Sequence, residues 1–431
     1  MGQLATESVA RAKATSARVL LIAPQPFFVS RGTPINVRAM VSVLANDSYQ
    51  VDLLVFPQGQ EIAIPGVRII RCPNVFGIKS VPIGPSWRKV LLDVVLSLKA
   101  LHLSYTNSYQ LIHGVEEGGL IAGTVGMVRR VPYIVDMDSC MVEQLRQSKF
   151  IRSERILRAI ESLEAFFVRR AEAILTVCNS LTRRARAIRP DANICQIEDF
   201  PFDPSAECPA VVAARLQSSL ALPDRRIILY AGNFESYQGL ELLLEAYGHV
   251  RQAASASRND TLLLLVGGGE LDSKPVRRLR ARAEALGIAD SVVFTGNRPA
   301  EEMNGFLALA DVLVSPRIEG SNTPLKIYSY MAAERPIVAT DIESHTQVLD
   351  SDSAFLAAPE PQAFAQALAQ ALDESPEAIA QQRRVVAGAR SLIAARYNET
   401  EFSRRLLELY RSITSPKPRL QARRARVVSV P

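Results

Sequence analysis

The sequence predicts an α/β protein made of two Rossmann-like domains, each a parallel sheet covered by helices on both faces, facing one another across a cleft. Short β-branched runs alternate with amphipathic helical stretches along most of the 431 residues, the pattern of repeated strand–helix–strand units. A Pro-rich, polar gap near Phe202–Asp224, containing Pro204, Pro209 and Pro223, divides those runs into two sets. Length agrees, since a chain of this size exceeds what one hydrophobic core comfortably holds.

Before the gap, the candidate strands are Arg18–Ala23, Val51–Phe56, Val67–Arg71, Leu111–Gly114, Tyr133–Asp136, Ala173–Val177 and Ile194–Ile197. After it they resume at Arg226–Ala231, Leu262–Val266, Val292–Thr295, Val312–Ser315, Ile337–Ala339 and Ala354–Leu356. These runs are apolar on both faces, as buried parallel strands are. All of them in one open sheet would exceed the roughly ten strands such sheets ordinarily hold. Helical periodicity marks Ile35–Ala45, Glu154–Ala171, Leu240–Arg251, Lys274–Leu286, Ala363–Leu372 and Thr400–Ile413. The expected organisation is a flexible N-terminus (1–18), a first domain (19–205), a linker region (206–224), a second domain (225–398), a C-terminal helix (399–414) and a disordered basic tail (415–431).

Composition narrows the classes of function. Hydrophobic residues make up 48% and charged residues 22%, which argues against disorder over most of the length. The polar segment Met1–Arg18 lacks the apolar core of a signal peptide, so none is expected. The longest apolar stretch, Val90–Leu103, is broken by Asp93, Lys99 and His102 and falls short of the roughly 18 residues of a spanning helix. Five scattered cysteines (Cys72, Cys140, Cys178, Cys195, Cys208) and four histidines show no zinc-ligand spacing. Reduced thiols, a cytoplasmic location and no bound metal are the expectation.

The net charge of +6 is unevenly placed, with arginines crowding Arg146–Arg189 and returning in the tail at Arg419, Arg423, Arg424 and Arg426 after Lys417. A solvated helix face explains the first cluster equally well as contact with anionic phospholipid at the inner face of a membrane. No nucleic-acid recognition motif accompanies the charge, and nucleic acid is not an expected partner.

Two strand-to-helix loops share one turn chemistry. Phe28-Val29-Ser30-Arg31-Gly32-Thr33-Pro34 leads into the first helix, and Glu319-Gly320-Ser321-Asn322-Thr323-Pro324 leads into Leu325–Ala333. Threonine suits an N-cap and proline the first helical position, while glycine lets a ligand approach the backbone. Free N–H groups at such helix starts suit a phosphate. Either loop alone is explained as a well-capped helix; two at corresponding places favour a shared anionic ligand. Arg317 and Lys326 flank the second loop, and a cation in the first turn of a helix opposes the helix dipole unless an anion sits nearby. A surface lysine paired with Glu319 is the plainer alternative. Gly267-Gly268-Gly269 and Gly232-Asn233-Phe234-Glu235 close two further strands, as tight turns generally do. On the N-terminal side, His113, Glu116, Glu117, Asp136 and Asp138 stand at or beyond strand ends, where acceptor binding or acid–base work is one reading. A histidine satisfied in the core and solvated carboxylates are the other.

The run Arg226–Ala246, the Gly267–Gly269 turn, Val292–Asn297, Ala310–Pro316 and Pro336–Ala339 resemble glycosyltransferase family four, whose members are retaining GT-B enzymes. The resemblance extends from Leu20 to Tyr410 and is strongest in the C-terminal half. It implies a sugar nucleotide as donor substrate, no permanently bound cofactor, no metal, and a glycan or lipid-linked acceptor. Gly32 would lie against the donor phosphates, and Gly296-Asn297-Arg298 would border the base. Glu319 would match the first glutamate of the family's paired motif and contact the transferred sugar, with Gly320 to Thr323 offering backbone N–H groups.

The chain departs from the family at three places. Ser329 stands where the second glutamate is expected. Asn233 and Gln238 stand where an arginine and a lysine neutralise the diphosphate. Counting back from Ser329 at the family's spacing reaches Ser321, so Glu319 fits only if the loop is longer. Either Arg317 and Lys326 supply the positive charge, or the domain binds without catalysing. A glycosyltransferase is the leading expectation; a silent sugar-nucleotide-binding or scaffold protein of a glycan-assembly complex, and a non-transferring GT-B enzyme such as an epimerase, are the alternatives.

Overall fold

The computed structural model describes residues 17–28, 32–82, 84–148, 150–201, 207–253 and 261–415. The polar N-terminus through Ser16, Val29–Arg31 of the first loop and the basic tail from Pro416 lie outside the described residues.

The first sheet contains β1 (Arg18–Ala23), β2 (Gln50–Val55), β3 (Val67–Arg71), β4 (Leu111–Val115), β5 (Tyr133–Met137), β6 (Ala173–Thr176) and β7 (Ile194–Gln196). Its helices are α1 (Gly32–Asn46), α2 (Trp87–Thr106), α3 (Gly118–Arg129), α4 (Met141–Gln147), α5 (Glu154–Val168) and α6 (Asn179–Ile188). After α7 (Pro209–Ser219), the second sheet contains β8 (Arg226–Gly232), β9 (Thr261–Gly267), β10 (Val292–Gly296), β11 (Val312–Ser315), β12 (Ile337–Thr340) and β13 (Phe355–Ala357). Its helices are α8 (Leu240–Gln252), α9 (Lys274–Ala285), α10 (Met303–Leu309), α11 (Lys326–Ala332), α12 (Glu343–Thr346), α13 (Pro361–Ala371) and α14 (Pro376–Ala395), followed by α15 (Glu399–Thr414).

Both sheets are parallel, in the orders β3-β2-β1-β4-β5-β6-β7 and β10-β9-β8-β11-β12-β13. Strand order reverses beside β1 in one and beside β8 in the other. The crevices at those switch points, beyond the carboxyl ends of the strands, are where such sheets take ligands. The central strands are buried on both faces: Val19 to Ala23 in β1 and Ile227 to Ala231 in β8 are at most 5% exposed. That double burial makes them read as continuous apolar runs and explains why their positions follow from the sequence.

Two features differ from the sequence expectation. The presumed linker contains α7, which buries Val212 and Leu216 in the core of the second domain. Pro209 opens it at a position where a missing N–H costs nothing. Gly305 of α10 lets it lie close, since a Cβ there would stand 2.4 Å from the Val212 side chain. The last helix, α15, returns to the first domain. It buries Phe402, Leu406, Leu409 and Tyr410 in the core that also holds Val19, Leu21, Val41 and Tyr49. Where the chain crosses back, Arg396 and Arg405 both pair with the buried carboxylate of Glu198, Arg405 also donating to the Gln196 carbonyl at 3.0 Å.

Candidate functional site

The second switch point is shaped by the loop from β11 to α11. Arg317 is 7% exposed and folds back into its own loop. Its Nε donates to the Glu319 carbonyl at 2.6 Å, and its two terminal nitrogens donate to the Asn322 carbonyl and Oδ1 at 2.9 and 3.1 Å. The loop closes round it at Gly320, whose φ is +121°; a Cβ there would stand 2.1 Å from Arg317 Nη2. Burial pulls the guanidinium below its usual range. Arg317 therefore organises the loop, and the sequence expectation of a phosphate-binding cation is corrected: its fork is occupied by carbonyls.

Beneath it, His345 is completely buried between the Ser315 hydroxyl (2.9 Å) and the hydroxyl and carbonyl of Thr340 (3.1 and 2.9 Å). Burial depresses it to about 3, so it is a neutral brace. The Thr340 hydroxyl in turn donates to the Arg317 carbonyl.

Lys326 behaves differently. Its ammonium reaches from the start of α11 across to the end of β8, donating to Gln238 Oε1 at 3.2 Å and standing 3.8 Å from the centre of the Tyr230 ring. A Cβ on Gly232 would stand 3.3 Å from it. Burial, then the nearby Arg317 charge, holds its pKa well below the usual lysine range. One amide oxygen and one ring face are thin compensation for lost water, and an anion would complete the site.

Neither threonine stands at the expected cap position. Thr33 lies inside the first turn of α1, which begins at Gly32, an exposed residue with open space around it. Leu325, not Thr323, precedes α11, and the Thr323 hydroxyl is buried without a partner among the described residues. Ser329 is half-buried within α11.

The glycine turns are tightly interlocked. A Cβ on Gly267 would stand 2.0 Å from the Gly232 carbonyl oxygen, so the ends of β8 and β9 meet backbone to backbone. Asn297 exchanges two hydrogen bonds of 2.9 Å with Gly269, joining the turn after β9 to the Gly296 turn after β10. Asn233 caps its own turn, accepting from the Glu235 N–H at 3.2 Å. Arg298 is committed to Glu302 through bonds of 2.7 and 3.1 Å. Glu319 is exposed, and its carboxylate has no hydrogen bond or ion pair among the described residues.

On the opposing domain, His113 is not a cleft residue. It is completely buried, with Nδ1 2.5 Å from the Tyr410 hydroxyl of α15 and Nε2 3.0 Å from Asp136 Oδ2. This is the core-satisfied reading, and it corrects the catalytic expectation. Nor are the acidic residues a solvated rim. Asp136 and Asp138 are 1% and 8% exposed, each with one oxygen unpartnered among the described residues, and Glu116 accepts from Ser139 at 3.1 Å. Glu117 pairs with Lys89. Asp199, not anticipated, joins this group. Burial first, and mutual repulsion second, raise Glu116 and hold Asp138 well above the usual carboxylate range, while Asp199 is pushed up to about 7. A cavity of about 20 Å³ beside Glu116, Asp136 and Ser139 has room for one water.

The two halves meet at the same loop. The Ser321 carbonyl accepts from Ser180 Oγ (2.6 Å) and Gln347 Nε2 (2.8 Å), and the Ser321 hydroxyl donates to Glu143 (2.8 Å). Asn322 Nδ2 reaches the Asp138 carbonyl at 3.4 Å. Ser180, Gln347 and Glu143 carry no motif, which is why sequence reasoning passed over them.

Residues 225–374 match the family model described as "Glycosyl transferases group 1". Over that segment the second domain is similar to that family. A D-inositol 3-phosphate glycosyltransferase of Corynebacterium urealyticum is 30% identical over 235 residues, 53% of this chain and 51% of that protein. A GDP-mannose-dependent alpha-(1-6)-phosphatidylinositol monomannoside mannosyltransferase of Mycolicibacterium smegmatis is 32% identical over 117 residues, 27% of each. The chain thus spans about half, or less, of the length of these relatives. Among solved structures, sucrose-phosphate synthase of Thermosynechococcus elongatus superposes with a TM-score of 0.72 at 21% identity, covering 92% of this chain and 99% of the other. Anabaena HepE with UDP-glucose gives 0.70 at 14% identity, covering 92% and 99%. These likenesses show the GT-B fold. Within the matched segment, the two positions at which the family's cations were expected are the neutral Asn233 and Gln238, and the ammonium that meets Gln238 is that of Lys326.

Proposed function

We propose that the protein is a retaining glycosyltransferase that moves a hexosyl group from a nucleotide diphosphate sugar to a lipid-linked or polysaccharide acceptor, without a metal ion, at the inner face of a membrane. The observation that carries this reading is the Lys326 ammonium, under-compensated and held against Gly232 and Gln238 at the strand-order switch of the second sheet.

In this mechanism Lys326 and the backbone N–H groups of Gly320–Thr323 meet the charge that grows on the departing diphosphate. Fixed donors of this kind stabilise the transition state with little reorganisation. Glu319, exposed and uncommitted, faces the positive charge that develops on the sugar. The acceptor hydroxyl attacks from the face the diphosphate leaves, and its proton passes to the departing phosphate oxygen. Asp138, raised well above the usual carboxylate range by burial and by Asp136, Glu116 and Asp199, stands on the acceptor side. The inward fold of Arg317 favours one competing reading, a domain that binds a sugar nucleotide without turning it over, because it takes one of the two flanking cations out of the site.

Nucleotide release from a panel of UDP-, GDP- and ADP-sugars, with membrane extract as acceptor source, separates the two. Turnover by the wild type and its loss in Glu319→Gln, with donor binding intact, supports transfer. Binding without release under every condition establishes the silent reading.

A further inference from the structure

Helix α2 has two apolar faces. Leu92, Leu96, Ala100 and Leu103 point into the first domain and are at most 6% exposed. On the opposite side Trp87, Val90, Leu91, Val94, Leu98 and Tyr105 form a second stripe, 41–73% exposed. Their spacing of three, four and seven residues keeps them on one side of the helix, a band about 27 Å long at 1.5 Å per residue. A surface helix needs only its inner stripe to fold, so the outer one requires another partner.

The surroundings say which. Asp93, the one acid in the helix, is turned inward with Oδ1 cut off from solvent, so the outer face of α2 carries no exposed carboxylate. Basic groups border both ends of the stripe. Arg88 is exposed beside Trp87. Trp87 packs against Phe150 at 5.3 Å, just before the exposed Arg152 and Arg155. At the far end Arg129 lies 4.1 Å over the Tyr105 ring, and Arg130 beside it is exposed. Acids on the neighbouring α5 are already paired, Glu154 with Arg146 and Glu161 with Arg184. A like-charged rim opposes stacking of two copies of this face. The stripe ends in tryptophan and tyrosine, side chains that favour the membrane–water boundary. No helix among the described residues is long and apolar enough to cross a membrane.

We infer that the outer face of α2 lies in the plane of an anionic phospholipid bilayer, with Trp87, Val94 and Leu98 between the acyl chains and Arg88, Arg129 and Arg130 at the head groups. The inference rests on the membrane part of the proposed function and not on its transfer chemistry.

Trp87 is the only tryptophan in the chain, so its emission reports on this face alone. The full-length protein is mixed with vesicles of phosphatidylcholine, with and without phosphatidylglycerol, some carrying brominated acyl chains. The expected result is a blue shift and bromine quenching with the anionic vesicles, weakened by salt. Leu91→Asp/Leu98→Asp reduces sedimentation with these vesicles at least about tenfold, while thermal melting and sugar-nucleotide binding stay as in the wild type. Arg88→Gln/Arg130→Gln, which leaves the apolar stripe intact, weakens binding to anionic vesicles alone. Emission unmoved by anionic vesicles overturns the inference. So does emission already blue-shifted in lipid-free protein whose mass rises with concentration, since a second copy then covers the stripe.

Discussion

Lys326 Nζ donates to Gln238 Oε1 at 3.2 Å, across the gap between the start of α11 and the turn after β8. Without an anion the ammonium is held well below the usual lysine range, chiefly by burial. A bound diphosphate favours the charged form and raises that value. Donor binding therefore takes up a proton at pH values between the free and bound pKa, and affinity falls as pH rises through that window. Calorimetry in buffers of different ionisation enthalpy measures the uptake. Lys326→Arg, whose guanidinium stays charged, loses it.

Arg317 and Gly320 form one unit. Gly320→Ala places a methyl group on the Arg317 guanidinium, at a φ of +121° that disfavours any side chain. Arg317→Ala strands the carbonyls of Glu319 and Asn322. Each change costs about 1–3 kcal/mol of stability by denaturant titration. Donor affinity falls with them, because the backbone N–H groups of the loop lose their aim.

His113 is structural, and the contact with Tyr410 tests that. Tyr410→Phe leaves His113 Nδ1 buried without its hydroxyl partner and costs about 1–3 kcal/mol. Donor binding at 25 °C stays unchanged, since neither residue reaches the cleft.

Asp199 is pushed from 3.8 up to about 7, first by burial and then by Asp136 and Glu198. A carboxyl with a raised folded-state pKa binds its proton more tightly in the folded chain. Its contribution is complete below pH 4 and is lost as pH rises to about 7. Asp199→Asn removes this component, so melting temperatures of variant and wild type converge toward pH 4 and diverge in the variant's favour at pH 8.

The thirteen strands were legible because parallel strands buried on both faces print as unbroken apolar runs with turns between them. Helix α7 was missed because prolines and polar residues around it resemble a linker, although Pro209 was a sound start signal. The stripe Phe402, Leu406, Leu409 and Tyr410 announced α15 but not the domain it docks on. Sequence pointed to the loop from Arg317 to Lys326, yet it could not separate the two cations. Direction decides between them: Arg317 curls onto carbonyls two and five residues ahead, while Lys326 extends to a different strand end. The clamp of Ser180, Gln347 and Glu143 on Ser321 is made of single polar side chains from distant elements, which no local pattern encodes.

Equilibrium binding of the sugar nucleotide that the wild type accepts, repeated on Lys326→Ala, tests the central claim most directly. The account predicts a folded variant whose affinity for the donor drops at least about tenfold, the loss expected when a charge-assisted contact to phosphate is removed. A variant that binds the donor as tightly as the wild type would contradict it, because the diphosphate would then be held elsewhere.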